Sequence, residues 1–213
     1  GTVTEITATG IGAHASTPDV GNNALTGLLV FLGKLDFASC PQVDMVRKTA
    51  SLFPHGDVNG KTLGVAMEDE LSGNLTLSFN MLSVDAASMD GEFDGRIPVC
   101  GNDENVLEVV RARMAEQGLT LLNKALIPPH HVSADSYFVK TLLAAFELYT
   151  GRKGECQALG GGTYVHHLEN GVAFGAAMPE TDNKMHGPDE FAVVDELLVS
   201  AKIFAQAIVD LCC

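Results

Sequence analysis

Two consecutive prolines, Pro128 and Pro129, separate two parts of the chain that differ in their hydrophobic patterns. A proline has no backbone N–H and restricts the residue before it, so a pair of prolines interrupts both helices and strands. The 213 residues are enough for one large domain or two small ones. We therefore predict an α+β protein with a domain boundary at the proline pair, giving residues 1–129 and residues 130–213.

The first part shows alternating β and helical patterns. Its predicted elements are a strand over 3–10, a helix over 22–37, a strand over 75–81, its hairpin partner over 93–99, a helix over 102–117 and a strand over 119–127. The stretch over 41–69 is less regular and carries several glycines. The resulting βαββαβ order is typical of a ferredoxin-like domain, in which two helices cover one face of an antiparallel sheet.

The second part is richer in helices. Apolar residues at helical spacing predict helices over 137–149 and 194–211, and short strands are predicted over 156–159 and 172–176. This is an α/β pattern, but it has too few strands for a complete doubly wound sheet. We therefore expect residues 130–213 to be the closing part of a larger α/β domain.

The balance of charges limits the partners that the chain can bind. Its formal net charge is −14, which disfavours nucleic acids and anionic membrane surfaces because both require a basic face. The sequence contains no apolar run of membrane-spanning length, and we expect no signal peptide. Five scattered cysteines without a CxxC pair favour reduced thiols over a disulfide framework, so a cytoplasmic protein is expected.

Two polar residues in the first part have the surroundings of functional side chains. His14 follows the first predicted strand and precedes Pro18, in a turn where it could donate a hydrogen bond to a developing oxyanion. Asp94 and Arg96 share one face of a predicted strand, where the arginine could grip a carboxylate with two parallel bonds. Each residue also fits an ordinary role, His14 as a surface-loop histidine and Arg96 as half of a surface ion pair.

The second part contains a glycine-rich turn and a histidine in a polar segment. Three glycines, 160–162, follow a predicted strand and would let backbone N–H groups approach an anion closely. His186 lies between a polar loop and acidic residues that could orient a metal-bound imidazole. A glycine-rich turn alone is a weak signal, and one histidine cannot hold zinc, which needs three or four ligands.

Taken together and in this order, these segments resemble the dimetal peptidase family of carboxypeptidase G, aminoacylase and the bacterial dipeptidases. The resemblance is strongest to the peptidase V and Xaa-His dipeptidase branch. It covers nearly the whole chain and rests on GIGAHASTPDVGNNAL, MEDELSGNLTLSFNMLSVD, FDGRIPV, GGGTYVHHLENGVAFGAAMPETDNKMHGPDEF and the last helix. Each segment alone is a weak indicator, whereas their joint occurrence is specific.

The resemblance implies roles for particular residues. It implies that His14 reaches over the active site and polarises the scissile carbonyl, and that Arg96 binds the substrate carboxylate. It implies that His186 is a metal ligand. The residues that match the loop lining the family's substrate pocket are Gly161, Gly162 and Thr163.

The resemblance also implies a domain organisation and a metal-dependent reaction. Residues 1–129 would be a ferredoxin-like lid, and residues 130–213 would be the C-terminal portion of an α/β zinc-peptidase catalytic domain. The intact enzyme would use two divalent metal ions, zinc or manganese, to activate a water that attacks a small peptide. The family's other ligands and its general base lie upstream and have no counterpart here, so the chain alone is expected to be an inactive C-terminal fragment. Val165 and His166 stand where the family has a small residue and an arginine.

Two other functions remain open at the level of sequence. Residues 1–129 could be a non-catalytic ferredoxin-like module that binds a small ligand or dimerises, and the intact protein could be a deacylase or carboxypeptidase of the same family. The segment HGPDE favours an enzyme over a binding module, and GGGTY favours a dipeptidase by resemblance. The expected partners are a small peptide substrate and either a second copy of the chain or the missing N-terminal part.

Overall fold

The structure, a computed structural model, describes residues 3–175, 178, 180–185 and 188–213. The chain forms two compact units, which we call the first unit and the second unit. The first unit comprises Gly1–Pro129 and Ala158–Gly161, and the second comprises His130–Gln157 and Gly162–Cys213. Helices and small antiparallel sheets are both present, which confirms the predicted α+β class.

Side-chain caps fix the start of two helical segments in the first unit. Its helices are α1 (Ala24–Gly33), α2 (Pro41–Leu52) and α3 (Glu108–Glu116), and a π-helical turn (Asp103–Leu107) precedes α3. Asn23 caps α1 by accepting from the Thr26 N–H at 3.0 Å, and Asn102 caps the π-helical turn in the same way. These bonds satisfy N–H groups that the start of a helix leaves without a partner. Helix α1 confirms the helix predicted over 22–37, although it is shorter. The π-helical turn and α3 together confirm the helix predicted over 102–117.

Helix α2 occupies part of the stretch in which no regular element is predicted, so that expectation is wrong for Pro41–Leu52. Pro41 stands in the first helical turn, where its missing N–H would have no partner in any case. The buried positions are Thr49 and Leu52, and the Thr49 hydroxyl donates to a backbone carbonyl one turn earlier. A polar residue on the inward face hides the apolar periodicity by which helices are recognised.

A long antiparallel hairpin forms the main sheet of the first unit. The strands are β1 (Glu68–Asp69), β2 (Gly73–Asn74), β3 (Thr76–Val84) and β4 (Met89–Arg96). Strands β3 and β4 form the predicted hairpin, whereas β1 and β2 form a separate two-residue pairing. The hairpin register places Thr76 opposite Arg96 and Phe79 opposite Phe93. The Asp85 carboxylate accepts two backbone N–H groups of the connecting turn and so closes it.

A β-bulge in β3 lies at Asn80, between Phe79 and Met81. A bulge places an extra residue in one strand and shifts the alternation of its side chains. Leu77 and Phe79 are buried before the bulge, and Leu82 packs against the same core after it. The bulge therefore keeps apolar side chains on the inward face along most of the strand.

Two predicted strands of the first unit do not pair with a neighbour among the described residues. Because residues 3–10 and 119–127 form no ladder, the described sheets do not make up the four-stranded ferredoxin-like sheet predicted from the sequence. A strand needs a neighbouring chain for its hydrogen bonds, and residues 3–10 are exposed to solvent. In the second segment, Leu119, Leu121 and Leu126 pack against the core. Its apolar run therefore reflects burial of side chains rather than pairing of the backbone.

The core of the first unit gathers side chains from its helices, the hairpin and the loop after α2. Its buried members are Leu29, Leu52, Phe53, Leu63, Val65, Leu75, Leu77, Phe79, Val106 and Val110. The rings of Phe53 and Phe79 stack with their centroids 4.4 Å apart, which joins the end of α2 to β3. The hairpin is thus packed against the core through its inner face.

The second unit is built on two helices, α4 (Tyr137–Thr150) and α5 (Val194–Cys212), as the sequence predicts. Their contact buries Leu142, Ala145, Ile203 and Ala207. The predicted strands over 156–159 and 172–176 are wrong for the residues described there, which form no strand; Ala176 lies outside the described residues. Short apolar runs cannot separate a strand from a buried irregular segment. No helix in the described part of the chain is long and apolar enough to cross a membrane.

Candidate substrate-binding and catalytic site

His14 lies at the surface, in a loop whose two ends are joined. Ile11 and Asn22 exchange two backbone hydrogen bonds, of 2.9 and 2.8 Å, and so close the loop over residues 11–22. Within the loop, the Thr17 N–H donates to the His14 carbonyl at 2.9 Å. The loop therefore presents an exposed imidazole from a backbone that is itself held by hydrogen bonds.

The ring of His14 is held by Ser16. The Ser16 Oγ lies 2.7 Å from His14 Nδ1, and the Ser16 backbone N–H donates to the same nitrogen at 3.2 Å. Ser16 is not among the functional residues predicted from the sequence. The signal that could have identified it is the His-x-Ser spacing in a turn, because serine hydroxyls bond to groups two residues away in such turns.

Thr76 connects the His14 loop to the strand that carries Arg96. Its hydroxyl donates to the Ala15 carbonyl at 3.2 Å, and on the hairpin it lies directly opposite Arg96. Directly opposite residues of an antiparallel pair have their Cβ atoms about 4.5–5.5 Å apart. The structure therefore brings the two candidate residues of the first unit to the same end of the hairpin.

Arg96 forms a bidentate ion pair with Asp94 on the same face of β4. Its Nε and Nη2 donate to the two carboxylate oxygens at 2.6 and 2.9 Å, and the side chains are 29% and 33% exposed. The ion pair considered from the sequence is therefore present. It uses the side edge of the guanidinium, and the end-on edge formed by Nη1 and Nη2 has the geometry to bind a second carboxylate.

We expect that replacing Asn23 by alanine destabilises the chain by about 1–2 kcal/mol. Asn23 caps α1, and its Nδ2 also donates to the Phe79 carbonyl on β3 at 2.8 Å, so one substitution removes two bonds next to the His14 loop. Urea unfolding measures the change in the free energy of unfolding. The matched control is Asn123→Ala at an exposed position, and equal midpoints for the two variants would contradict the expectation.

The glycine-rich segment contacts the His14 loop at Gly160. A Cβ on Gly160 would lie 2.6 Å from the Ser16 Cβ, so any other residue there would displace one of the two segments. At Gly161 and Gly162 a Cβ would meet no described atom within 4 Å. Crowding thus accounts for glycine at position 160. It does not account for the next two glycines, where the open space is compatible with a bound ligand.

Thr163, in the second unit, carries a buried hydroxyl without a hydrogen-bond partner in the described part of the chain. The His166 N–H donates to the Thr163 carbonyl at 3.2 Å. A buried polar group without a partner is costly, and a polar group of a ligand would satisfy it. The substrate-binding role of Thr163 stays a prediction.

The predicted metal ligand His186 lies outside the described residues. Across the ranges that the structure describes, no three His, Cys, Asp or Glu side chains are placed to hold a metal ion together. A zinc site needs three or four such ligands. The described residues therefore do not fit a bound divalent ion by themselves.

An open cavity of about 610 Å³ lies on the first unit, beside the loop that carries His14. Two titratable residues in its lining are engaged with their own surroundings. His55 Nδ1 lies 2.8 Å from the Thr26 hydroxyl. Burial raises the pKa of Asp57, but hydrogen bonds from Thr62 and neighbouring backbone N–H groups outweigh it and hold that pKa below its usual value. Asp57 therefore shapes the cavity wall as a carboxylate and is unsuited to donate a proton near neutral pH.

The chain is similar along nearly its whole length to bacterial proteins named as dipeptidases. It is 34% identical to the Beta-Ala-Xaa dipeptidase of Lactobacillus delbrueckii subsp. lactis over 208 residues, which cover 97% of this chain and 44% of that protein. It is 37% identical to the "Putative dipeptidase YtjP" of Bacillus subtilis (strain 168) over 207 residues, which cover 95% and 43%. No protein-family model matches the chain. The chain thus spans less than half the length of these curated relatives, and its similarity to proteins named dipeptidases fits the peptidase family that its motifs resemble.

Proposed function

We propose that this chain is the C-terminal part of a metal-dependent dipeptidase, which hydrolyses the peptide bond of dipeptides by a metal-activated water. The observation that carries the proposal is the connection of the His14 loop to the Arg96 strand through Thr76. The similarity of the chain to proteins named dipeptidases over 95–97% of its length supports it further. A short peptide offers one carbonyl to polarise and one free carboxylate to bind, and these two residues supply the matching groups.

In this proposal His14 acts on the scissile carbonyl. When water attacks a peptide carbonyl, negative charge develops on its oxygen, and an N–H placed in advance stabilises that charge. His14 is exposed at the surface while its backbone and ring are both held by hydrogen bonds within the loop. A donor that is already oriented loses little freedom when the transition state forms, which is the condition for a large effect on turnover.

Arg96 and the glycine-rich segment bind the peptide itself. The end-on edge of the Arg96 guanidinium binds the C-terminal carboxylate, while Asp94 keeps the side edge in place. Gly161, Gly162 and Thr163 line the substrate pocket, and the buried Thr163 hydroxyl bonds to a polar group of the substrate. Recognition of a free carboxylate close to the scissile bond selects short peptides over long ones.

The intact protein, in this proposal, holds two divalent metal ions, zinc or manganese. Such ions supply a Lewis acid and a water that is acidic enough to act as a nucleophile near neutral pH. Because the described residues offer no donor set for them, His186 and ligands from a preceding part of the protein hold the ions in this proposal. The described residues of this chain then contribute substrate binding and stabilisation of the developing charge.

The proposal also covers the organisation and surroundings of the chain. Residues 1–129 form the lid of the intact protein and residues 130–213 close its catalytic domain. The chain associates with the N-terminal part or with a second copy of itself, and it acts in the cytoplasm. The net charge of −14 supports the view that its partners include neither nucleic acid nor an anionic membrane surface.

We expect this chain alone to show no peptidase activity, because in this proposal the general base and most metal ligands come from a preceding part of the protein. The test compares this chain and the full-length protein against several dipeptides with added zinc or manganese. Turnover by the chain above a metal-only blank would contradict its status as a fragment. Full-length protein that cleaves N-acyl amino acids and spares dipeptides would support a deacylase, and full-length protein inert on every substrate would favour a binding module.

A further inference from the structure

The two contacts of Ser16 define which nitrogen of His14 accepts a hydrogen bond. The Ser16 backbone N–H, 3.2 Å from His14 Nδ1, can only donate. In a neutral imidazole one nitrogen donates and the other accepts, and the bond made by one nitrogen decides where the proton sits. Nδ1 must therefore be the accepting nitrogen, and the Ser16 hydroxyl at 2.7 Å also donates to it.

We propose that Ser16 is a positioning residue that fixes His14 as the tautomer with its proton on Nε2. The tautomer follows from the two contacts of Ser16 to Nδ1, while its catalytic role rests on the proposed function. A ring with the proton on Nδ1 would direct an N–H at the Ser16 N–H and lose that bond. With both Ser16 donors on Nδ1, the neutral ring has a single donor nitrogen, Nε2.

Gly160 is the second part of this arrangement. Gly160 lies so close to the Ser16 Cβ that a side chain at position 160 would not fit. This Ser16 Cβ is the atom that carries the hydroxyl. The rotation of the hydroxyl toward His14 is thereby restricted by backbone from a distant part of the sequence. We infer that glycine is required at position 160 to keep Ser16 against the imidazole.

The test is a measurement of the ring nitrogens by NMR on this chain with 15N-labelled histidine. Long-range 15N–1H correlation at about pH 8, where an ordinary imidazole is neutral, separates the protonated from the accepting nitrogen. The seven histidines are distinguished by the loss of one pattern in His14→Gln. We expect His14 to show one tautomer, with Nε2 protonated. A protonated Nδ1, or averaged shifts for the two nitrogens, would overturn the proposal.

Two variants test whether Ser16 and Gly160 set the tautomer of His14. In Ser16→Ala the hydroxyl is lost while the backbone donor remains, so we expect the Nδ1 and Nε2 shifts to move toward each other. Gly160→Ala should move them in the same direction by displacing Ser16. The matched control is Ser51→Ala, whose hydroxyl donates to a backbone carbonyl near the end of α2. If Ser16→Ala leaves both shifts of His14 as they are in Ser51→Ala, the Ser16 hydroxyl does not set the tautomer, and the positioning role of that side chain is overturned.

Kinetics of the full-length protein separate this inference from the proposed function. Ser16→Ala is expected to lower the turnover number about five- to tenfold, the usual size of one hydrogen bond, with a smaller change in the Michaelis constant. Shifts that move as expected, together with unchanged turnover in both Ser16→Ala and His14→Ala, would contradict the catalytic role of His14 and leave the tautomer assignment intact. Lower turnover with unmoved shifts would show that the Ser16 hydroxyl acts on catalysis by another route and would overturn its positioning role.

Discussion

Replacing His14 by alanine is expected to lower the turnover number of the full-length protein about 100- to 1000-fold, the range seen when one donor to an oxyanion is removed. The effect falls on turnover because the charge that His14 contacts exists only while the carbonyl is under attack. The Michaelis constant should change much less. Steady-state kinetics with a dipeptide substrate measure both constants.

The control for this prediction is His55→Ala. His55 is exposed in the same unit and bonds to Thr26, so its replacement tests whether losing any histidine of the unit lowers activity. Circular dichroism and the unfolding midpoint establish that both variants are folded. If His14→Ala keeps turnover within about threefold of the parent, far below the range for an oxyanion donor, His14 is an ordinary loop histidine.

Replacing Arg96 by alanine is expected to raise the Michaelis constant for a free dipeptide about 10- to 100-fold, since hydrogen bonds to charged groups contribute about 1.5–3 kcal/mol. The substrate carboxylate is charged before, during and after the reaction. Loss of its contact with Arg96 therefore weakens the binding of the substrate and of the transition state alike. Turnover should fall less. Lysine at this position should recover only part of the loss, because an ammonium lacks the two-pronged geometry of a guanidinium.

A substrate comparison isolates the carboxylate. The C-terminal amide of the same dipeptide has no negative charge for Arg96 to bind, so Arg96→Ala should hardly change its kinetics. Arg113→Ala serves as the control, because Arg113 forms an exposed ion pair with Glu116 on α3 and has no proposed role in binding. An Arg96→Ala variant that impairs the amide as strongly as the free acid would show that Arg96 has another role.

The elements that the sequence predicted well are those whose own residues carry the periodicity and the capping signals of a helix or a strand. The β3–β4 hairpin and helices α4 and α5 carry apolar side chains at the period of their structure, and α4 also has Ser136 as its cap and Gly151 in the left-handed conformation at its end. These signals are local. They do not depend on which other segments of the chain the element contacts.

The strands that were predicted and did not form among the described residues depend on contacts between distant segments. Whether residues 3–10 form a strand depends on a partner elsewhere in the chain, which composition cannot supply. The same holds at the candidate site. Arg96 and His14 could be selected by residue type, whereas Thr76 and Gly160 enter only because folding places them against residues 15 and 16.

The bulge at Asn80 has a consequence for how the hairpin assembles. Residues at odd positions face inward before it, and Leu82, at an even position, packs inward after it. If β3 paired with β4 without the bulge, either Leu77 and Phe79 or Leu82 would face water, because no continuous alternation could bury both halves of the strand. The bulge thus restricts the two strands to the one alignment that buries apolar side chains from both halves of β3. It is this alignment that seats Arg96 across from the threonine holding the histidine loop.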